Sequence, residues 1–255
     1  MNRRLIGVVV GLMLVAVAVV RSPIAFSQME PTPTVYTYVS QFQVPRANWA
    51  SYSEDTEKTV VPILEKLTAD GTIGGWSTFE TIVHTPDGYT HGAAWSSTSI
   101  SGLMKVLDEI RKGGPRPGQI AATKHEDLLM QSTMYHAGSG TEAYLRVVCS
   151  MAKADKPEAY TATLKKLLVP TFEEQLKKGV ATYYGVDQQY VNTSAQSLRC
   201  VVITYPNAEG MDKWAAAINT TMSKWSPAER AEFTASTVLD SRRDFLARIT
   251  HSGHK

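Results

Sequence analysis

The chain carries two copies of one long pattern, and this repeat limits the folds it can adopt more than any other feature. Shifting the sequence by 108 residues aligns residues 36–110 with residues 144–218 without a gap. Identical residues recur along the alignment, among them Tyr36 and Tyr144, Val39 and Val147, Tyr52 and Tyr160, Pro62 and Pro170, Gly71 and Gly179, and Gly102 and Gly210. A fixed long spacing indicates a repeated structural unit. We therefore predict two similar units, residues 28–140 and 141–255.

Each copy predicts the same order of elements. The segments VYTYVSQF and AYLRVVCS alternate as strands do. A helical stretch follows and ends at Gly71 or Gly179, where a positive φ costs glycine little. Two strands joined by a turn such as Asp87-Gly88, a second helix and a last strand complete the copy. The resulting order, β-α-β-β-α-β, is that of the ferredoxin-like fold.

One such unit covers one face of its sheet with helices and leaves the other face bare. Rings such as Tyr36, Tyr38 and Trp95 alternate along the strands, and a sheet face with many rings is not expected to lie in water. We therefore predict an α+β fold in which two tandem βαββαβ units pack sheet to sheet as a single-chain α+β barrel. Pro62 and Pro170 are predicted to bend the first helix of each unit over its sheet.

Several segments resemble a known superfamily. VYTYVSQFQVPRANW, LEKLTADGTIGGW, HTPDGYTHGAAW and NAEGMDKWAAAI are similar to the dimeric α+β-barrel superfamily in a single-chain, duplicated form. More closely, they resemble uncharacterised exported bacterial proteins with the same layout. The superfamily includes cofactor-independent monooxygenases, stress-responsive barrel proteins and haem-binding chlorite dismutase-like enzymes. This resemblance implies the fold and carries over no catalytic residues, because one fold hosts many activities.

The N-terminal segment indicates export. Arg3 and Arg4 precede an apolar or glycine run over residues 5–20, and residues 25–27 have the small-x-small pattern of a signal-peptidase site. The run is shorter than the roughly 20 residues that span a bilayer. We predict a signal peptide over residues 1–27 and a periplasmic or extracellular protein that does not associate with the membrane after cleavage. An uncleaved membrane anchor is the alternative.

The charge of the mature chain argues against nucleic acid as a partner. Removal of the signal takes away three arginines and no acids, so the formal net charge changes from +2 to −1. A near-neutral protein with mixed charges offers no surface that tracks phosphates. P-loop, dinucleotide-binding and nucleophile-elbow motifs are also missing from the sequence.

The chain has two cysteines, Cys149 and Cys200, on strands that the predicted fold places side by side. Two alternatives follow, a disulfide in an oxidising compartment or two buried free thiols. The sequence has no histidine and cysteine cluster with zinc spacing, so we predict no metal site.

Strand alternation assigns one set of side chains to the interior of the barrel. We expect Leu145, Val147 and Cys149 to face the helices, so that the intervening residues point inward. The predicted ligand-binding residues are Tyr36, Tyr38, His91, Trp95, Tyr144, Arg146, Arg199 and Arg248. Buried arginines need a partner, which is either an acid such as Asp187 or Glu80 or a bound anion.

Three functions remain open. The first is an exported barrel that binds a small aromatic or anionic molecule between its two sheets. The second is an enzyme of the same shape, a cofactor-independent monooxygenase or a haem-dependent oxidoreductase, with His91 as the candidate catalytic residue. The third is a structural protein whose barrel is filled by its own side chains. The sequence indicates no cofactor otherwise and leaves the oligomeric state open.

Overall fold

The computed structural model of the protein describes residues 33–83, 85–191 and 197–255. In this part of the chain, eight antiparallel strands form one closed barrel. The first half contains β1 (Val35–Gln43), α1 (Trp49–Asp55), α2 (Val61–Ala69), β2 (Gly75–Thr81), β3 (His91–Ser97), α3 (Ile100–Lys112), α4 (Pro117–Ile120) and β4 (Lys124–Ala137). The second half contains β5 (Tyr144–Ala152), α5 (Pro157–Leu167), α6 (Val169–Lys177), β6 (Tyr183–Gln189), β7 (Leu198–Tyr205), α7 (Ala208–Ser223), α8 (Pro227–Ser236) and β8 (Thr237–His254).

The strands follow one another around the barrel in the order β1-β3-β2-β8-β5-β7-β6-β4, and β4 pairs with β1 to close it. The long strands β4 and β8 each connect the two halves, because β8 pairs with both β2 and β5 and β4 pairs with both β1 and β6. Closure leaves no unpaired edge among the described strands, which removes the usual site of edge-to-edge aggregation. The mixed helix and strand content agrees with the predicted α+β class.

Two apolar layers lie between the barrel and the helices outside it. In the first half, Leu64 of α2 and Leu103 of α3 are completely buried against Trp76 and Trp95 of the sheet. The corresponding layer of the second half includes Leu164, Phe172, Tyr184, Tyr205 and Trp214. Burying one such leucine contributes about 1.5–3 kcal/mol, so these layers hold the helices on the sheet.

The first helix of each half has an irregular segment next to its proline. In the first half, α1 ends at Asp55, a π-helical turn covers Thr56–Val60, and α2 begins at Val61, with no non-helical residue between them. The N–H of Val61 donates to the Thr56 carbonyl, five residues back, and Pro62 follows directly. The predicted helix with an internal proline is therefore present in the first half. In the second half the helix is divided at Leu168, and Pro170 is the second residue of α6, where a proline is well tolerated.

The turns at the helix ends agree with the prediction. Gly71 and Gly179 follow α2 and α6 with φ angles of 78° and 67°. A side chain at either position would be strained, since only glycine takes this conformation readily. The end of the chain, in contrast, differs from the prediction, since α8 was not predicted and the last strand, β8, extends from Thr237 to His254.

The predicted signal peptide, residues 1–27, lies outside the described residues. Among the helices of the described part, none is long and apolar enough to cross a membrane.

Cys149 and Cys200 form a disulfide between neighbouring strands. The two residues are direct cross-strand partners in the pairing of β5 with β7. The bond is one of the two alternatives left open by the sequence, and it links positions 51 residues apart. It therefore restricts the unfolded chain while adding little constraint to strands that are already paired.

We expect loss of this disulfide to lower the free energy of unfolding by about 2–4 kcal/mol, because the unfolded chain regains the freedom of the closed loop. Urea unfolding of a Cys149→Ala/Cys200→Ala variant measures the change. The wild-type protein with and without a thiol reductant is the matched control. A variant as stable as the oxidised wild type would contradict a stabilising bond.

Candidate functional site

The barrel interior is formed by the strand faces opposite to those predicted. Tyr36, Tyr38 and Trp95 pack in the layer beneath α2 and α3, and the Trp95 indole donates a hydrogen bond to the Leu103 carbonyl of α3 at 3.3 Å. Tyr144 packs in the equivalent layer of the second half. The inward orientation of these four rings was wrong. Alternation separates two faces of a strand, but in a closed barrel with outer helices both faces are apolar, so the pattern does not say which face is inside.

The three predicted arginines also lie outside the barrel. Arg146 forms an ion pair with Asp244 at 2.7 Å, and hydrogen bonds from Arg242 and Arg146 lower the pKa of that carboxyl to about 2. Arg199 is buried near Tyr160 of α5, and burial lowers its pKa. Arg248 lies on an outer cleft at the end of β2. They therefore form no common site inside the barrel.

His91 is also on the helix side, where it is buried with 3% of its surface exposed. Its Nδ1 lies 2.9 Å from the Thr90 hydroxyl. The rings of Trp49 and Tyr52 are 5.1 and 4.8 Å from the imidazole, measured between centroids. A haem axial ligand needs open space beside its nitrogen, and packed rings occupy this space, so His91 does not fit a haem ligand. Among the described residues no group of three or more histidine, cysteine or acidic side chains could hold a metal ion.

One cluster of apolar side chains occupies the interior of the barrel. It consists only of strand residues and comes from six strands, namely Phe79, Leu145, Ala247 and Ile249, with Val39, Ala94, Val147, Val202 and Phe245 packed against them. The rings of Phe79 and Phe245 meet edge to face at 5.4 Å. Val39, Val147 and Val202 are only half-buried although they face inward. The cluster therefore leaves part of the interior accessible.

The accessible interior also contains a carboxyl group, that of Asp187 on β6. Its neighbours in the strand, Tyr184 and Val186, pack beneath the helices, so alternation turns Asp187 inward. Asp187 pairs with Cys200 of β7 and with Ser132 of β4. Two residues back along β6, Gly185 pairs with Val202 of the apolar cluster, about 7 Å away along the strand. The Asp187 carboxyl therefore lies beside the apolar cluster, one inward-facing residue further along β6.

Asp187 is buried without full hydrogen bonding. Only 6% of the residue is exposed, and its Oδ1 has no hydrogen-bond partner among the described residues. Burial raises its pKa to about 6, while the nearby Ser132 hydroxyl acts in the opposite direction. The Ser132 oxygen is itself buried without a partner in hydrogen-bond geometry within the described chain. A buried polar group without a partner costs about 1–3 kcal/mol, so this pair is poised for a group that supplies one.

A tyrosine lies over the backbone beside this carboxyl. A Cβ atom added to Gly185 would meet the Tyr183 hydroxyl at 2.5 Å, so the phenol folds back along β6 towards Asp187. Burial and the negative charge of Asp187 raise the pKa of Tyr183 well above its ordinary value. Tyr183 is therefore a neutral phenol at physiological pH. The polar end of the interior therefore has one acid, one hydroxyl and one phenol, and the phenol fills the space above Gly185.

Comparison with solved structures places this architecture. A "putative monooxygenase" from Fusobacterium nucleatum subsp. nucleatum aligns with a TM-score of 0.64 and 11% identity, over 87% of this chain and 95% of that protein. One from Lactobacillus acidophilus gives a TM-score of 0.60 and 9% identity, over 87% and 96%. Chlorite dismutase from Candidatus Nitrospira defluvii gives 0.53 and 13%, over 85% and 91%. The chain shares the α+β-barrel fold of these proteins.

At these identities the likeness to other α+β barrels shows the fold alone. No protein-family model matches the chain. No curated protein matches it either.

Asp187 is the residue of this α+β barrel that sequence reasoning undervalued. It had been considered only as a partner for the arginines. Asp187 aligns with Phe79 under the shift of 108 residues, so an acid occupies in one copy the position of an interior ring in the other. An acid at a position where the repeat has a large apolar residue is a signal of a special role. Once it is known that this face of β6 points into the barrel, the signal identifies the polar end of the interior.

Proposed function

We propose that the protein binds a small, mostly apolar molecule with one hydrogen-bond donor inside its barrel, and that Asp187 accepts that hydrogen bond. The observation that supports this proposal is the Asp187 carboxyl, which is buried, incompletely hydrogen-bonded and directed into a partly accessible apolar interior. Binding sites of small molecules are typically apolar with a few placed polar groups. The arginines that favoured an anionic ligand lie outside, so a neutral donor such as a phenol is the better match.

Phenol and toluene provide a direct test, since the two are similar in size and only phenol has a donor. A hydrogen bond to a charged group contributes about 1.5–3 kcal/mol, so we expect phenol to bind at least about tenfold more tightly. Isothermal titration calorimetry measures both constants. Asp187→Asn should reduce this preference, whereas Asp212→Asn, which changes an exposed acid on α7, should leave it unchanged.

Two outcomes would contradict the proposal. Equal binding of phenol and toluene would remove Asp187 from the proposed contact. Failure of both compounds to bind would favour the third function, a barrel filled by its own side chains.

A second candidate is oxidation of the bound molecule without a cofactor. It is supported by the pKa of Asp187, which at about 6 lies near the operating pH that suits a general base. The shared fold with proteins described as putative monooxygenases is consistent with it. In this reaction Asp187 would take the proton of a phenolic substrate, and the substrate would give four electrons to molecular oxygen. One oxygen atom would replace a ring hydrogen to form a quinone, and the other would leave as water. Oxygen uptake with an electron-rich phenol, abolished in Asp187→Asn, is the expected result.

We also infer export and an origin by duplication. Export is supported by the N-terminal pattern of residues 1–27 and by the Cys149–Cys200 disulfide, since disulfides persist in oxidising compartments. The duplication is supported by the repeated sequence and by the matching order of elements in the two halves. Mass spectrometry of the protein recovered from its native host tests cleavage, with a mature N-terminus near Gln28 as the expected result.

A further inference from the structure

A cleft lies on the outside of the barrel, at the end of β2, and we call it the outer cleft. Its volume is about 220 Å³, and its lining consists of Arg46, Trp49, Glu80, Thr81, Ile82 and Arg248. At the ~30 Å³ that a water molecule occupies in the liquid, the space corresponds to about seven waters. This outer cleft therefore suits a molecule of a few heavy atoms. It shares no lining residue with the interior cluster described above.

Two opposite charges lie side by side on the strands that line the outer cleft. Glu80 of β2 and Arg248 of β8 are direct cross-strand partners. Cross-strand neighbours of opposite charge usually attract each other. In the described part of the chain, however, no ion pair joins the two. Both side chains line the cleft, so a donor and an acceptor remain for a ligand between them.

The third charge of the outer cleft is held in place by an aromatic ring. The guanidinium of Arg46 lies over the Trp49 indole, 3.9 Å from the ring centroid. The indole N–H donates to the Val44 carbonyl at 2.8 Å, which fixes the ring. Arg46 is therefore oriented before a ligand arrives. With Arg248 and Glu80 it gives the cleft a formal charge of +1, which one carboxylate would neutralise.

We propose that the outer cleft binds a small hydroxycarboxylate. The carboxylate contacts the guanidinium groups of Arg248 and Arg46, and the ligand hydroxyl donates to the Glu80 carboxylate. A monoanion neutralises the net charge of the cleft, whereas a zwitterion would leave it at +1. A simple carboxylate without the hydroxyl would leave Glu80 without a donor.

Lactate and propionate test the proposal, because they differ only in the hydroxyl group. Titrations of the whole protein are followed by calorimetry, or by NMR at millimolar ligand. We expect lactate to bind at least about tenfold more tightly than propionate, as a hydrogen bond to a charged group contributes 1.5 kcal/mol or more. Glu80→Gln should reduce this preference. Arg248→Gln should weaken both ligands about tenfold or more.

The control is Arg243→Gln, which removes the same charge from the same strand. Arg243 donates to the carbonyls of Asp240 and Arg242 and does not line the outer cleft. It should leave both constants unchanged. Three results would each overturn the proposal. Lactate does not bind, lactate and propionate bind with equal affinity, or Arg243→Gln binds both ligands as weakly as Arg248→Gln does. Thermal unfolding of each variant without ligand separates loss of the site from loss of the fold.

Discussion

Replacing Asp187 by asparagine is expected to stabilise the protein at neutral pH by up to about 3 kcal/mol and to remove a decline in stability between about pH 4 and pH 6. The folded-state pKa is about 6, and the unfolded value is about 3.9. Between these values the folded protein holds a proton that the unfolded chain has lost, so stability falls as the pH rises. A difference of about 2 pKa units corresponds to about 3 kcal/mol.

Urea unfolding from pH 3.5 to pH 7.5 measures this effect. Asp244 titrates outside the window, because its pKa is lowered to about 2 and its contribution is lost only as the pH falls below about 4. The exposed acid in Asp212→Asn provides the matched control and should keep the wild-type slope. An Asp187→Asn variant with the same decline as the wild type would show that this carboxyl is not buried in the folded state.

Replacing Trp95 by alanine is expected to lower the free energy of unfolding by about 3–5 kcal/mol, the usual cost of deleting a large buried ring. Trp95 is 2% exposed, stacks on Tyr38 with ring centroids 4.8 Å apart, and bonds to the backbone of α3. Denaturant unfolding gives the value. The comparison is Val39→Ala, which removes a half-buried side chain from the barrel interior and should cost under about 2 kcal/mol.

This pair of variants tests which strand face is inside. If Trp95 lined an open interior, its loss would cost little more than that of Val39. Equal costs would therefore contradict the packing of Trp95 beneath the helices. The proposed phenol site predicts in addition that Val39→Ala alters toluene binding.

The elements were easier to predict than their contacts. Alternation and turn residues identified β1, β5 and the turns at Gly71 and Gly179, since these signals are local in the chain. The region of helix α8 and strand β8 was predicted poorly, because the length of β8 depends on its pairing with both β2 and β5. Pro62 was placed in the correct helical region, but the sequence did not show the π-helical turn that precedes it.

The candidate sites were predicted less well than the elements. Seven of the eight proposed ligand-binding residues lie outside the barrel interior and outside any proposed site. They are Tyr36, Tyr38, Trp95 and Tyr144 in the apolar layers, His91 between the rings of Trp49 and Tyr52, Arg146 in an ion pair and Arg199 near Tyr160 of α5. Arg248 remains in a proposed site, although a different one. These errors share one origin. The prediction had the inward and outward faces of a whole set of strands the wrong way round. Exchanging the two faces of a strand turns every predicted interior residue into an exterior one.

The amino-acid sequence determined the order of the elements and the alternation along each strand, because both depend on residues a few positions apart. It also placed an acid, Asp187, where the other copy has Phe79. Only the tertiary structure decided which face of each strand lies inside the barrel. The outer helices cover one face and barrel closure covers the other, so both faces bury apolar side chains, and hydrophobicity alone does not distinguish them.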